Sequence, residues 1–138
     1  MNTEFMMQKS APLPANAPQE EEELSLTLRT SKLGDVTVIY CRGRIIFRNE
    51  AETLSHAVAG ALQQSKHIIL ELQGVTTIDS AGMGELVALH MWAQGYGATL
   101  KLSGLSSRLL YLLELTNLTA VFEIFPTQEA ALNACEAA

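Results

Sequence analysis

From residue 24 onward the apolar positions fall into short, regular patterns. Leu24, Leu26 and Leu28 alternate with Ser25, Thr27 and Arg29, the period-two signature of a half-buried strand. Lys32, Leu33, Gly34 and Asp35 read as a turn, and residues 36–41 (Val36 to Cys41) as a second strand, so the two predict a hairpin. Gly43 is expected to close that strand. Asn49 is a candidate N-cap for a helix through about Gln64, with Leu54, Val58, Ala61 and Leu62 on one face.

Residues 68–72 (Ile-Ile-Leu-Glu-Leu) form a short apolar run of the kind buried inside parallel sheets. Residues 73–78 then lead to Asp79 and Ser80, where a helix should begin and run to about Gln94, punctuated by Gly95 and Gly97. A strand over 98–102 follows. Ser106 or Ser107 should cap a leucine-rich helix with Tyr111 facing outward. Residues 121–125 read as the last strand. Pro126 and Thr127 open a final helix through Cys135, with Ala130, Ala131 and Ala134 as small contacts. The order ββαβαβαβα predicts an α/β fold: a small mixed, mainly parallel sheet of about five strands with about four helices.

Composition narrows the function. The chain has 138 residues, 48% of them hydrophobic, enough for one domain with a core. Its net charge of -6 argues against a general nucleic-acid-binding surface. Cys41 and Cys135 lack metal-site or disulfide-framework spacing, and His56, His67 and His90 are scattered. No apolar run is long enough to span a bilayer. Residues 1–10 show no signal-peptide core, so the expected setting is cytoplasmic.

Charge also divides the chain. Residues 1–23 hold five acids (Glu4 and the run 20–23) against Lys9, together with Pro12, Pro14 and Pro18. Such a segment buries too little apolar surface to offset its ordering entropy, so it reads as a mobile acidic tail, with Glu20 to Glu23 a solvated run. Phe5, Met6 and Met7 are its one apolar patch. The folded domain is expected over 24–138.

The segment that carries information is Thr77-Ile78-Asp79-Ser80-Ala81-Gly82-Met83-Gly84-Glu85. Its plain reading makes Ser80 a helix N-cap, with Asp79 favouring the positive helix end. Gly82 and Gly84 do not fit that reading alone, since each costs about 1 kcal/mol against alanine within a helix. Close approach of another backbone, from within the fold or from a partner, would account for them. A hydroxyl at a helix N-terminus is also well placed to carry phosphate.

Residues 78–84 resemble the D-S-[SA]-G-[LM]-G signature of STAS domains, the anti-sigma factor antagonists. Gly43 with Ile45 resembles the family's opening G-x-[IL] segment, and residues 51–54 its first helix. Residues 68–72 match its buried strand, residues 113–118 (LELTNL) its LELTGL stretch, and residues 122–127 (FEIFPT) its closing FEIFPSEEEAL. The resemblance covers roughly residues 24–135. It implies a protein-binding switch and no enzyme. An anti-sigma serine kinase of the GHKL type phosphorylates the serine after the motif's aspartate, here Ser80, and a metal-dependent serine phosphatase resets it. The kinase supplies nucleotide and Mg²⁺, so this chain needs no cofactor of its own. The implied partner-binding residues are Asp79, Ser80, Ala81, Gly82, Met83 and Gly84. Two departures stand out: Ile46 replaces a frequent acid in a region made basic by Arg44 and Arg48, and Ala81 replaces a frequent second serine.

Other readings are weaker. A serine hydrolase would need a glycine two before Ser80, where Ile78 stands, and a histidine with an acid partner. A P-loop would need its lysine. Non-phosphorylated STAS scaffolds, such as stressosome subunits or partners of lipid-transport ABC systems, share the fold, and an intact Ser80 favours the phosphorylated branch. Met91 and Trp92 read as core or rim contacts, and Cys41 as a buried strand residue. Deleting residues 1–23 is expected to leave the melting temperature nearly unchanged in a thermal scan; a large drop would mean that the tail packs on the domain.

Overall fold

The structure, a computed structural model, describes residues 26–46 and 49–137. The expectations for residues 1–23, Leu24, Ser25, Arg48 and the Asn49 side chain fall outside them. Among the described residues ten elements follow one another: β1 (Leu26–Leu33), β2 (Val36–Ile45), α1 (Asn49–Leu62), β3 (His67–Ile78), α2 (Ser80–Gly95), β4 (Thr99–Ser103), α3 (Ser107–Leu115), a single 3₁₀ turn (Leu118–Ala120), β5 (Glu123–Phe125) and α4 (Gln128–Ala137). The five strands lie side by side in chain order. The β1–β2 pair is antiparallel and every other neighbour parallel, the mixed, mainly parallel sheet with four helices that the pattern predicts.

The two sheet faces are covered unequally. Ile39, Cys41 and Ile45 of β2 and Ile68, Leu70 and Leu72 of β3 point to one side, where α1, α2 and α3 bury Leu54, Leu86, Leu89, Leu109 and Leu113 against them. Val36, Val38 and Ile69 point to the other side, against Ala131 and Cys135 of α4. β3, the middle strand, is enclosed on both faces. That is why its apolar run is continuous over residues 68–72 and does not alternate.

Four strand boundaries differ from the sequence reading by two residues or more. The hairpin turn is only Gly34 and Asp35, with Gly34 at φ 62°, so β1 continues to Leu33; two-residue hairpins favour glycine at such a position. Gly43 does not close β2. The strand passes through it at φ 118° and runs on to Ile45, and residues 73–78 extend β3 alongside, with register shifts near Tyr40 and Gly43. Burial of Val75 and Ile78 supports that extension. Val121 lies outside β5: Asn117 adopts a left-handed φ of 62°, and the Leu118 carbonyl accepts from the Val121 and Phe122 amides, holding the chain in a turn until Glu123.

Cys41 is buried as expected. Burial first, and the Glu71 carboxylate second, push its thiol up to about 12 from the ordinary 9.0. The neutral thiol therefore contributes stability that is fully present below pH 9.0 and lost as pH rises from there toward about 12. Native protein treated with iodoacetamide at about pH 8 should leave Cys41 unmodified in peptide maps, because the thiolate is the nucleophile. Rapid labelling would show that the strand opens.

Candidate functional site at the start of α2

β2 and β3 end side by side, with Ile45 opposite Ile78. The next residue, Asp79, turns the chain into α2 in an extended conformation (φ -95°, ψ -178°). Its amide approaches the Ile45 carbonyl at 3.4 Å. Its carboxylate accepts a hydrogen bond from the Gly82 amide at 2.8 Å, and its carbonyl accepts from the Met83 amide at 2.9 Å. Asp79 is therefore the N-cap. This corrects the expectation for Ser80, which is instead the first residue inside the helix. An aspartate suits the role twice over, since its charge also complements the positive helix end.

With capping done by its neighbour, the Ser80 hydroxyl is exposed and makes no hydrogen bond to any described residue. Ala81 and Gly84 are exposed beside it. The two glycines have opposite situations. Gly82 is buried against Ile45, and a Cβ there would collide with the Ile45 carbonyl oxygen; at Gly84 a Cβ would meet nothing within 4 Å. The close backbone approach expected from the sequence is thus internal at Gly82, while Gly84 leaves open space outside. Met83 is half-buried and packs on the core. Of the six residues singled out by the motif, Ser80, Ala81 and Gly84 present themselves outward, and Asp79, Gly82 and Met83 build the turn that holds them.

The outward side continues along the helix. Its exposed residues include Ala88, Met91 and Trp92, and Glu85, partly exposed between Ala81 and Ala88, is the one carboxylate of the helix. Met91 and Trp92 are rim residues, with Trp92 edge-on to Tyr96 at 6.2 Å between ring centroids. The histidines lie in other surroundings. The His67 ring is 2.9 Å from the Thr99 hydroxyl, His90 stands edge-on to Phe122, and His56 is exposed on α1. None of them is hydrogen-bonded to Ser80. No described helix is long and apolar enough to cross a membrane.

A family profile described as the STAS domain matches residues 27–131. The chain belongs to the STAS domain family. Solved STAS structures share its fold. An anti-sigma factor antagonist from Mycobacterium paratuberculosis superimposes with a TM-score of 0.70 at 22% identity, covering 80% of this chain and 93% of that one. The phosphorylated form of the Bacillus cell fate determinant SpoIIAA gives 0.62 at 15%, covering 79% and 99%. The murine anion transporter Slc26a9 gives 0.68 at 16%, covering 78% of this chain and 19% of the transporter. At these identities the likeness is one of fold. The same STAS architecture therefore stands both in small antagonists and as one part of a transporter.

Sequence reasoning found the segment and missed the division of labour within it. The signal was present: aspartate is as good an N-cap as serine, and Asp79 stands three residues before the amide that it holds. Three substitutions separate the roles in urea unfolding. Asp79→Ala should cost about 1 kcal/mol, and Gly82→Ala about 1–3 kcal/mol or more through overpacking against Ile45. Gly84→Ala should be neutral or stabilising by up to about 1 kcal/mol. Equal effects at the two glycines would contradict this assignment.

Proposed function

We propose that this STAS domain is an anti-sigma factor antagonist, a protein-binding switch controlled by phosphorylation of Ser80. The observation that carries the reading is an unengaged, exposed hydroxyl at the first position of α2, beside Ala81 and Gly84, on a helix side whose one charged side chain is the partly buried Glu85. A serine kinase needs an accessible hydroxyl, and a partner protein needs a surface that desolvates cheaply. Both requirements are met within the first turns of one helix. Unphosphorylated, the domain binds an anti-sigma serine kinase of the GHKL type across Ser80, Ala81 and Gly84, and so frees a sigma factor. Phosphorylated, it lets the kinase go, and a metal-dependent serine phosphatase restores it.

The chemistry at the site asks little of this chain. The kinase brings nucleotide and metal, and the domain offers the oxygen nucleophile. Asp79 holds the turn through the Gly82 amide, which keeps Ser80 pointing outward as the partner approaches. Gly84 gives the partner room to come close to the helix backbone. A phosphate adds about -1.5 to -2 charges. On the free domain these charges sit in water at a positive helix end, partly opposed by Asp79, so the change in stability should stay within about 1 kcal/mol. Inside the interface, a charge buried without a partner costs about 2–5 kcal/mol, or roughly thirty-fold to a few thousand-fold in affinity.

The deciding experiment incubates the protein and its Ser80→Ala variant with an anti-sigma serine kinase of the GHKL type and ATP, following phosphate incorporation and affinity in parallel. The variant should bind the kinase, take up no phosphate and lose no more than about 0.5 kcal/mol of stability, because Ser80 is an exposed residue that caps nothing. Phosphorylated wild type should bind far more weakly while melting at nearly the same temperature. Phosphate incorporation in the variant would move the site elsewhere, with Thr76 and Thr77 nearest. A domain that binds no such kinase and is never phosphorylated would instead support the scaffold reading.

A further inference from the structure

Among the described residues, the sheet face opposite α1, α2 and α3 is covered only in part: α4 lies over β3, β4, β5 and the first half of β2. Toward the hairpin the same face carries Arg29 of β1 with Arg42 and Arg44 of β2, all exposed. Arg29 stands opposite Tyr40 and Thr27 opposite Arg42, and directly opposed residues of an antiparallel pair share a face. Tyr40 packs with Val36 and Val38 on the α4 side, and the two-residue alternation of β2 puts Arg42 and Arg44 on that side as well. The Arg29 guanidinium rests over the Tyr40 ring, 4.1 Å from its centroid. Among the described residues none of the three arginines is paired with a carboxylate. In a chain of net charge -6, this is a local concentration of positive charge; the neighbouring carboxylate on this face, Glu71 opposite Tyr40, is buried and bonded to the Ser103 hydroxyl and the Gln73 amide.

We propose that the acidic run Glu20, Glu21, Glu22 and Glu23 of this same chain covers the arginine face. The topology brings the two together. β1 begins at Leu26, which pairs with Gly43, the residue between Arg42 and Arg44. Glu23 is three residues before Leu26 and Glu20 six, so at about 3.5 Å per residue the whole run is tethered within roughly 20 Å of that pairing. Such a short tether gives an effective concentration of order millimolar, which favours the chain's own acids over a polyanion arriving from solution. Exposed ion pairs are individually weak. The run therefore neutralises the face without holding the fold together, and residues 1–23 remain dispensable for stability. Ser80 and the outward side of α2 lie on the other side of the sheet, so this cover is independent of the phosphorylation switch.

The test compares three full-length proteins: wild type, E20Q/E21Q/E22Q/E23Q, and a control of equal net charge, E52Q/E114Q/E129Q/E136Q, built on exposed helical glutamates. On immobilised heparin, a polyanion probe, the tail variant should elute at higher salt than the equal-charge control, and adding Arg42→Ala and Arg44→Ala to it should abolish the difference. Amide NMR shifts between wild type and tail variant should concentrate at residues 27–29 and 42–44. They should fade near 1 M NaCl, where screening acts within about 3 Å. Equal elution of the two quadruple variants, or shifts that map to α2 instead, would overturn the proposal. So would a wild type whose arginine face is occupied by a second copy, seen as concentration-dependent sedimentation.

Discussion

Everything at the candidate site hangs from one carbonyl. The Ile45 oxygen at the end of β2 receives the Asp79 amide and also lies against Gly82, where a methyl group would not fit. Two strand ends and a helix start are therefore locked to a single atom. That contact fixes how close α2 comes to the sheet, and the helix's rotation then follows: Leu86 and Leu89 go inward to the core, while Ser80 and Gly84 go outward. A helix displaced by the width of a methyl group would present a different side.

Much of this was legible in the sequence, because burial of apolar side chains drives the fold and leaves periodic traces along the chain. The enclosed middle strand announces itself in residues 68–72, the hairpin in the alternation before Gly34, and α3 in its leucines. The boundaries that escaped share a cause: they depend on a neighbour and not on local preference. Residues 73–78 look like a connection, with Gly74 and two threonines, until β2 runs past Gly43 and offers them a parallel partner. Val121 looks like strand until the left-handed Asn117 wraps the chain into a turn.

At the site, the motif was visible while the assignment of roles was not. Serine and aspartate are near-equal caps, so adjacency alone could not say which of Asp79 and Ser80 holds the Gly82 amide. The two glycines likewise look alike on paper, and only the position of Ile45 separates them. The buried polar set around Glu71 left no signal at all. Its carboxylate accepts from the Ser103 hydroxyl and the Gln73 amide, partners contributed by another strand and by the register shift two residues on in its own. Nothing in a run of Ile-Ile-Leu-Glu-Leu foretells them.

The opposite situations of Gly82 and Gly84 bear on how such a domain can diversify. Residues that hold the turn are fixed by geometry inside the chain, so change there is paid in folding. Two positions on, Gly84 has open space where a Cβ would stand, and Ala81 is exposed, so a side chain can appear at 84, or a different one at 81, with the architecture left intact. Recognition can thus drift from one partner to another by single steps, each of them already foldable. Paralogues within one cell can grow apart in whom they bind long before they differ in shape.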